Sequence, residues 1–149
     1  MSVSIRNLAR RRQTASRIVF SKIANFVLPD WNISLVFVTP TKARLLNKQL
    51  RGKKYAPNVL SYALGEKSGE IFICPAEAAK QSSDFHLTPY TFHLYLFIHG
   101  LLHIKGWAHG AKMDRCERKL LAEYVTANSN RNRHRYVPDK NGRGRRNRR

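Results

Sequence analysis

The chain has 149 residues, with 28 Lys and Arg against 9 Asp and Glu and a formal net charge of +19; the length fits one domain of ordinary size, and a surplus of this kind expects a polyanionic partner. A hydrophobic content of 42% supplies a packed core and excludes a disordered basic peptide. Two cysteines, Cys74 and Cys116, exclude a disulfide scaffold and a four-cysteine zinc ribbon, and point to a reducing compartment.

No apolar stretch with a small-residue cleavage site follows Met1, so no secretory signal is expected. Val3-Ser4-Ile5 predicts a short edge strand. After the cationic run Arg10–Arg12, the spacing predicts a helix with Ile18, Ile23, Phe26 and Val27 inward and Pro29 just beyond its end. Asn32–Val38, rich in β-branched and aromatic residues, reads as a strand that stops at Thr39-Pro40. Thr41 is the expected cap of the next helix, with Leu45, Leu46 and Leu50 as its inward stripe. Val59–Ala63 and Glu70–Cys74 read as strands joined by the turn-prone segment Gly65–Gly69.

Pro75 suits the first turn of a helix through Gln81. Thr88-Pro89 opens a long helix that runs to about Ile104 and is ended by Gly106. Residues 85–104 contain no Asp, Glu, Lys or Arg, the length of a membrane span. They also carry His86, His93, His99 and His103, and four imidazoles in hydrocarbon are costly, so the segment reads as a buried helix of a protein with no membrane partner. Met113–Ala127 resumes helical spacing, with Leu120, Leu121 and Tyr124 on its apolar side. From Asn128 the chain turns to Asn, Arg and Gly without periodicity; residues 128–149 hold nine basic residues and one acid and read as a disordered basic tail. The element order predicts an α+β fold: one domain over 1–127, with a small mixed β-sheet packed against helices.

The segment richest in chemistry is His99-Gly-Leu-Leu-His103-Ile-Lys-Gly106-Trp-Ala-His109. Residues four apart on a helix are separated by about 40° and about 6 Å of rise, so both imidazoles can reach one cation. Gly106, which accepts positive φ at little cost, permits the reversal that returns His109 towards them. Three neutral imidazoles with an open fourth position are the catalytic zinc arrangement, which supplies an activated water near neutral pH. One histidine on an apolar helix is usually a satisfied core residue, and His93, about 15 Å along the axis from His103, keeps that reading. His86 and His134 have no partner pattern. Zinc peptidases with this helical pair carry glutamate after the first histidine as general base; Gly100 stands there instead, which argues against peptide hydrolysis.

The histidine run is similar to the H-G-x-x-H-x-x-G-x-x-H of the YbeY family of zinc-dependent endoribonucleases. A second segment, Leu46-Asn47-Lys-Gln-Leu-Arg51-Gly-Lys-Lys-Tyr-Ala-Pro-Asn58-Val59-Leu60-Ser61-Tyr62, resembles the family's L-N-x-x-x-R-x-x-x-x-P-T-[ND]-V-L-S-F, and Gly69-Glu70-Ile71 stands where the family has G-D-I. The opening Met-Ser-Val-Ser-Ile-Arg-Asn-Leu looks like that of mitochondrial members, and the likeness covers most of residues 1–127. Departures are Ala108, where bacterial members carry Asp, Ala56-Pro57 in place of Pro-Thr, and Lys54 at an acidic position.

The resemblance implies a single-strand-preferring endoribonuclease in ribosomal RNA maturation, with one Zn2+ per chain held by His99, His103 and His109. Its partners would be ribosomal RNA and small-subunit ribosomal proteins, in the mitochondrion or else the bacterial cytoplasm. Arg51 carries over onto the family's arginine as the catalytic candidate, since its planar fork suits a phosphate. Lys53 and Lys54 extend the positive wall; Lys105 and the tail residues Arg143, Arg145 and Arg146 are further RNA contacts. Asn58 and Ser61 are read as orienting the cleft. The competing reading is a non-catalytic RNA-binding assembly or ribosomal protein with a structural zinc, completed by a fourth ligand such as Cys116 or Asp114. Oligomeric state is not legible.

Overall fold

The computed structural model describes residues 2–9, 16–129, 136–138 and 144–146. In chain order the elements are β1 (Ser2–Asn7), α1 (Arg17–Val27), β2 (Asn32–Phe37), α2 (Pro40–Arg51), β3 (Val59–Gly65), β4 (Ser68–Ile73), α3 (Pro75–Gln81), α4 (Pro89–Ile104), α5 (Ala111–Ser129), β5 (Tyr136–Pro138) and β6 (Gly144–Arg146). The main sheet has the order β1-β2-β4-β3. Its first three strands run parallel and β3 is antiparallel to β4, which gives the expected mixed sheet of an α+β domain.

Alternation along the strands sorts side chains between two cores. Ile33, Leu35, Phe37, Ile71 and Ile73 face the larger one, with Phe20 and Ile23 of α1 and Phe92, Phe97, Ile98 and Leu101 of α4. Val36, Val38, Phe72 and Cys74 face the other side, against Ala43 and Leu46 of α2. Each fully buried side chain of this size contributes about 1.5–3 kcal/mol. Helix α4 is buried nearly all round, at Phe92, His93, Leu94, Leu96, Phe97, Ile98, Gly100, Leu101 and Leu102. That is why its sequence lacks charge: it is the central helix. Among the described residues no helix is long and apolar enough to cross a membrane.

Several expectations shift. Thr39, not Thr41, caps α2, its hydroxyl accepting from Lys42 N–H at 3.3 Å. Leu45 and Leu50 are each 48% exposed, and the buried arc is Ala43, Leu46 and Asn47. Likewise Ile18 and Phe26 lie on the outer face of α1, at 59% and 62% exposure, while Val19, Phe20, Ile23, Ala24 and Val27 point inward. In both helices small or polar residues take part of the inward arc. Helix α5 begins at Ala111 and runs to Ser129, past the expected boundary at 127. Within the tail, β5 and β6 pair antiparallel; Arg145 and Arg146 belong to β6, whereas Arg143, His134 and the Arg10–Arg12 run lie outside the described residues.

His93 is buried against the Phe37 ring, with centroids 5.6 Å apart, and its Nδ1 has no hydrogen-bond partner. Burial holds its imidazole below the ordinary histidine value. The unfolded chain takes up this proton near pH 6.5 and the folded chain only at lower pH. The folded state is therefore at full advantage above pH 6.5 and loses it as pH falls, by up to ~1.4 kcal/mol per unit. Chemical denaturation between pH 7 and 5 should show a shallower loss in His93→Leu than in wild type; parallel curves would rule out this contribution.

Candidate metal centre and its cleft

Thr88 starts α4 by accepting from Thr91 N–H at 3.2 Å, with Pro89 at the first helical position, where a missing N–H costs nothing. The helix is continuous from there through Ile104, so His99 and His103, four residues apart, stand about one turn apart. The helix closes in a Schellman turn: Gly106 N–H donates to His103 O at 2.9 Å and Trp107 N–H to Leu102 O at 3.0 Å. Gly106 has φ +99, the left-handed conformation expected of it. Lys112 Nζ lies 4.2 Å from the centroid of the Trp107 ring and ties the turn to the start of α5. The reversal sets the His109 ring 5.0 Å from that of His99 and 4.4 Å from that of His103. One nitrogen from each of the three lies within 4.8 Å of the others.

Hydrogen bonding prepares these rings as ligands. Glu117 of α5 is 2% exposed, and its Oε1 lies 3.0 Å from His99 Nδ1. Burial pushes this carboxyl up, but hydrogen bonds from His99 and Tyr95 outweigh burial and hold it below the usual glutamate value. An ionised carboxylate only accepts, so His99 carries its proton on Nδ1. His103 Nδ1 donates to Trp107 O at 3.0 Å, and burial, then the neighbouring His99, keep this ring neutral by lowering its pKa. The two Nε2 atoms face each other at 3.0 Å, close enough to share one proton or one cation. Deprotonated at Nε2, the two rings and His109 form a three-nitrogen donor set that fits a borderline divalent ion.

Tyr95 completes the chain behind the site. Burial, then its bond to the Glu117 carboxylate, drives the phenol pKa far up, so Tyr95 stays a donor. Neither Tyr95 nor Glu117 was singled out from sequence. A signal was there for Glu117: it stands four residues after Met113 and three before Leu120, both buried, and a charge at such a core position calls for a partner. Glu117→Ala is expected to weaken metal affinity about 10–100-fold, with Glu117→Gln in between. Competition against a chelator of known affinity measures it, and equal affinities would show that the carboxylate does not hold His99.

The histidines form one wall of a cleft of about 360 Å³, faced by Arg51, Val59, Leu60 and Ser61. Arg51 is the last residue of α2, which Gly52 ends at φ +67. Asn47, fully buried, pins the following loop by donating from Nδ2 to Tyr55 O at 2.9 Å. Lys53 and Lys54 are exposed on that loop and do not line the cleft. Lys105 does not line it either: its ammonium donates to Val27 O at 3.0 Å, tying α4 to the end of α1. Asn58 is bonded through Nδ2 to Gln81 Oε1 at 2.7 Å. Gly100 is a packing device. A Cβ there would stand 3.2 Å from Ile71 Cδ1 and 3.3 Å from Ser61 Cβ, so any side chain at this position would crowd those two residues. Among the described residues the metal-capable group is the three histidines; Cys116 and Asp114 are not part of it.

The pattern of the family described as Endoribonuclease YbeY matches residues 3–127. The chain belongs to the YbeY family. Endoribonuclease YbeY of Neisseria meningitidis serogroup C is 37% identical over 89 residues, covering 52% of this chain and 52% of that protein. The Phytoplasma mali protein of the same name is 33% identical over 108 residues, covering 70% and 72%, and that of Spiroplasma citri 30% identical over 123 residues, covering 69% and 78%. The chain thus spans about half the length of the Neisseria relative. The solution structure of a Thermotoga maritima protein superimposes with a TM-score of 0.61 over 87% of this chain and 93% of that one, at 22% identity, a likeness of fold. The matched span includes every YbeY segment that carries the cleft and stops short of the basic tail.

Proposed function

We propose that this YbeY-family chain is a zinc-dependent endoribonuclease that cuts single-stranded stretches of ribosomal RNA during maturation of the small ribosomal subunit. The observation that carries the proposal is the cleft itself, which three clustered imidazoles, two of them held by hydrogen bonds, line together with an arginine. When bound, a divalent ion there supplies Lewis acidity towards a phosphate oxygen and lowers the pKa of water. The remaining work falls to the chain's own groups. The Arg51 guanidinium binds the non-bridging oxygens in its planar fork and favours the charge that grows on them. Glu117 and the Trp107 carbonyl keep the His99 and His103 rings from turning. Small-subunit proteins as partners and the mitochondrion as compartment belong to the same reading.

Metal analysis beside cleavage of a ribosomal RNA fragment by wild type and His103→Ala tests the proposal. Cleavage by zinc-loaded wild type and none by the variant is the expected result. Tight RNA binding without cleavage by the zinc-loaded wild type would make the chain an assembly protein instead. Removing residues 128–149, with nine basic residues, should flatten the dependence of RNA affinity on salt, since each lost contact takes about 0.7 from the logarithmic slope on single strands. An unchanged slope assigns the tail to another task.

A further inference from the structure

The free edge of the sheet enters the same cleft, and its main-chain polarity can be worked out from the ladder. Along β4, Ile73 O accepts from Val38 N–H at 2.9 Å and, just before the strand, Lys67 O accepts from Asn32 N–H at 2.8 Å. Odd-numbered residues of this segment therefore spend their main-chain groups on β2. Even-numbered ones turn the other way: Cys74 N–H donates to Asn58 O at 2.9 Å. With Leu60 opposite Phe72 and Tyr62 opposite Glu70, it is Asn58, Leu60 and Tyr62 that exchange bonds with β4. The N–H and C=O groups of Val59 and Ser61 then point off the sheet, as those of every second residue do in an antiparallel edge strand.

Val59 and Ser61 line the cleft with Arg51 and the three histidines, and among the described residues neither makes a main-chain bond to another element. Sheet edges are ordinarily blunted by proline, lysine or a bulge. Here the irregularity sits at Ala63/Gly65, at the far end of the strand. The edge that faces the histidines is left open.

We infer that this edge is a nucleobase subsite: the Val59 carbonyl and the Ser61 N–H grip the Watson–Crick edge of one unpaired base beside the bond to be cut. The inference rests on the RNA reading above. A carbonyl acceptor beside an N–H donor complements an edge that presents a donor beside an acceptor. All four bases do so, adenine through its amino group and N1, uracil through N3–H and O4. A rigid main-chain pair therefore reads whether a base is free, with little regard to which base it is, because a paired base has spent that edge. An added peptide strand would use the same groups, but the lining includes three histidines and an arginine, and the chain carries +19. That favours an RNA strand.

The test uses a single-stranded oligouridine carrying N3-methyluridine at each position around the cleavage site in turn. Affinity and single-turnover cleavage are read for wild type, Ser61→Pro and Ala63→Pro. Proline at Ser61 removes an N–H that the sheet does not use, which an edge strand tolerates; Ala63 lies outside the cleft on the same edge and controls for the ring. Methylation at one position should cost wild type about five- to tenfold, the worth of one or two hydrogen bonds. Ser61→Pro should lose part of that affinity on plain RNA and be hurt less than wild type by methylation, since one of the two contacts is already gone, while Ala63→Pro behaves like wild type.

If Ser61→Pro does not fold, the methylation scan on wild type decides alone. A wild type that binds and cuts every methylated RNA as well as the plain one overturns the subsite and leaves the ribonuclease reading standing. A wild type that neither binds nor cuts RNA takes both down. Capture of an extended peptide that Ser61→Pro abolishes, with RNA handling unchanged, would give the edge to a protein strand and overturn the inference.

Discussion

Alanine at His99, His103 or His109 is expected to abolish stoichiometric zinc binding, because the remaining pair cannot build a three-point site. The three variants should differ in what else they lose. His109 is exposed on the loop before α5, so His109→Ala should unfold close to wild type once both are stripped of metal. His99→Ala removes the ring that faces Glu117 at 3.0 Å and leaves a buried carboxylate with Tyr95 alone. An unpaired buried polar group costs about 1–3 kcal/mol, more when charged, so the metal-free His99 variant should be the least stable of the three. Metal content by elemental analysis, beside denaturation in chelator, reads both effects. Full zinc in His109→Ala would show that the third ligand lies elsewhere. Equal metal-free stabilities of the His99 and His109 variants would show that Glu117 finds another partner.

Replacing Arg51 by alanine should lower turnover about 100-fold or more while leaving the fold and metal content intact. The guanidinium stands across the cleft from the histidines, and a donor aimed at developing charge is worth about 2.7–4 kcal/mol in the transition state. Its share of the fold is small: it is exposed at the end of α2, where Gly52 and the Asn47 hydrogen bond already secure the turn. RNA affinity should fall only modestly, as one phosphate contact is lost among many. Lysine should rescue in part, since it restores the charge without the fork. Single-turnover cleavage at saturating enzyme, beside binding of the same RNA, separates the two losses. Wild-type cleavage by Arg51→Ala would remove this arginine from the reaction.

The sequence by itself determined the histidine cluster. His99, His103 and His109 fall within eleven residues, and their convergence depends only on helical spacing and on the positive φ that Gly106 accepts, φ +99 in the fold. The ends of α4 are equally local, written in Thr88-Pro89 and Gly106. Tertiary structure decided the surroundings. The inward arcs of α1 and α2 went to Ala24, Ala43 and Asn47 while Phe26, Leu45 and Leu50 turned out, because which face the core covers is set by the neighbouring elements and residue type alone does not record it. Gly100, which reads in sequence as a missing acid, is the point where α4 touches Ile71 and Ser61. Glu117 reaches His99 across eighteen residues. The cleft's far wall exists because β4 pairs on one side with β2 and on the other with β3, leaving β3 at the edge. Such pairings join segments far apart in the chain, so no local pattern encodes them, and only the packed core sets their register.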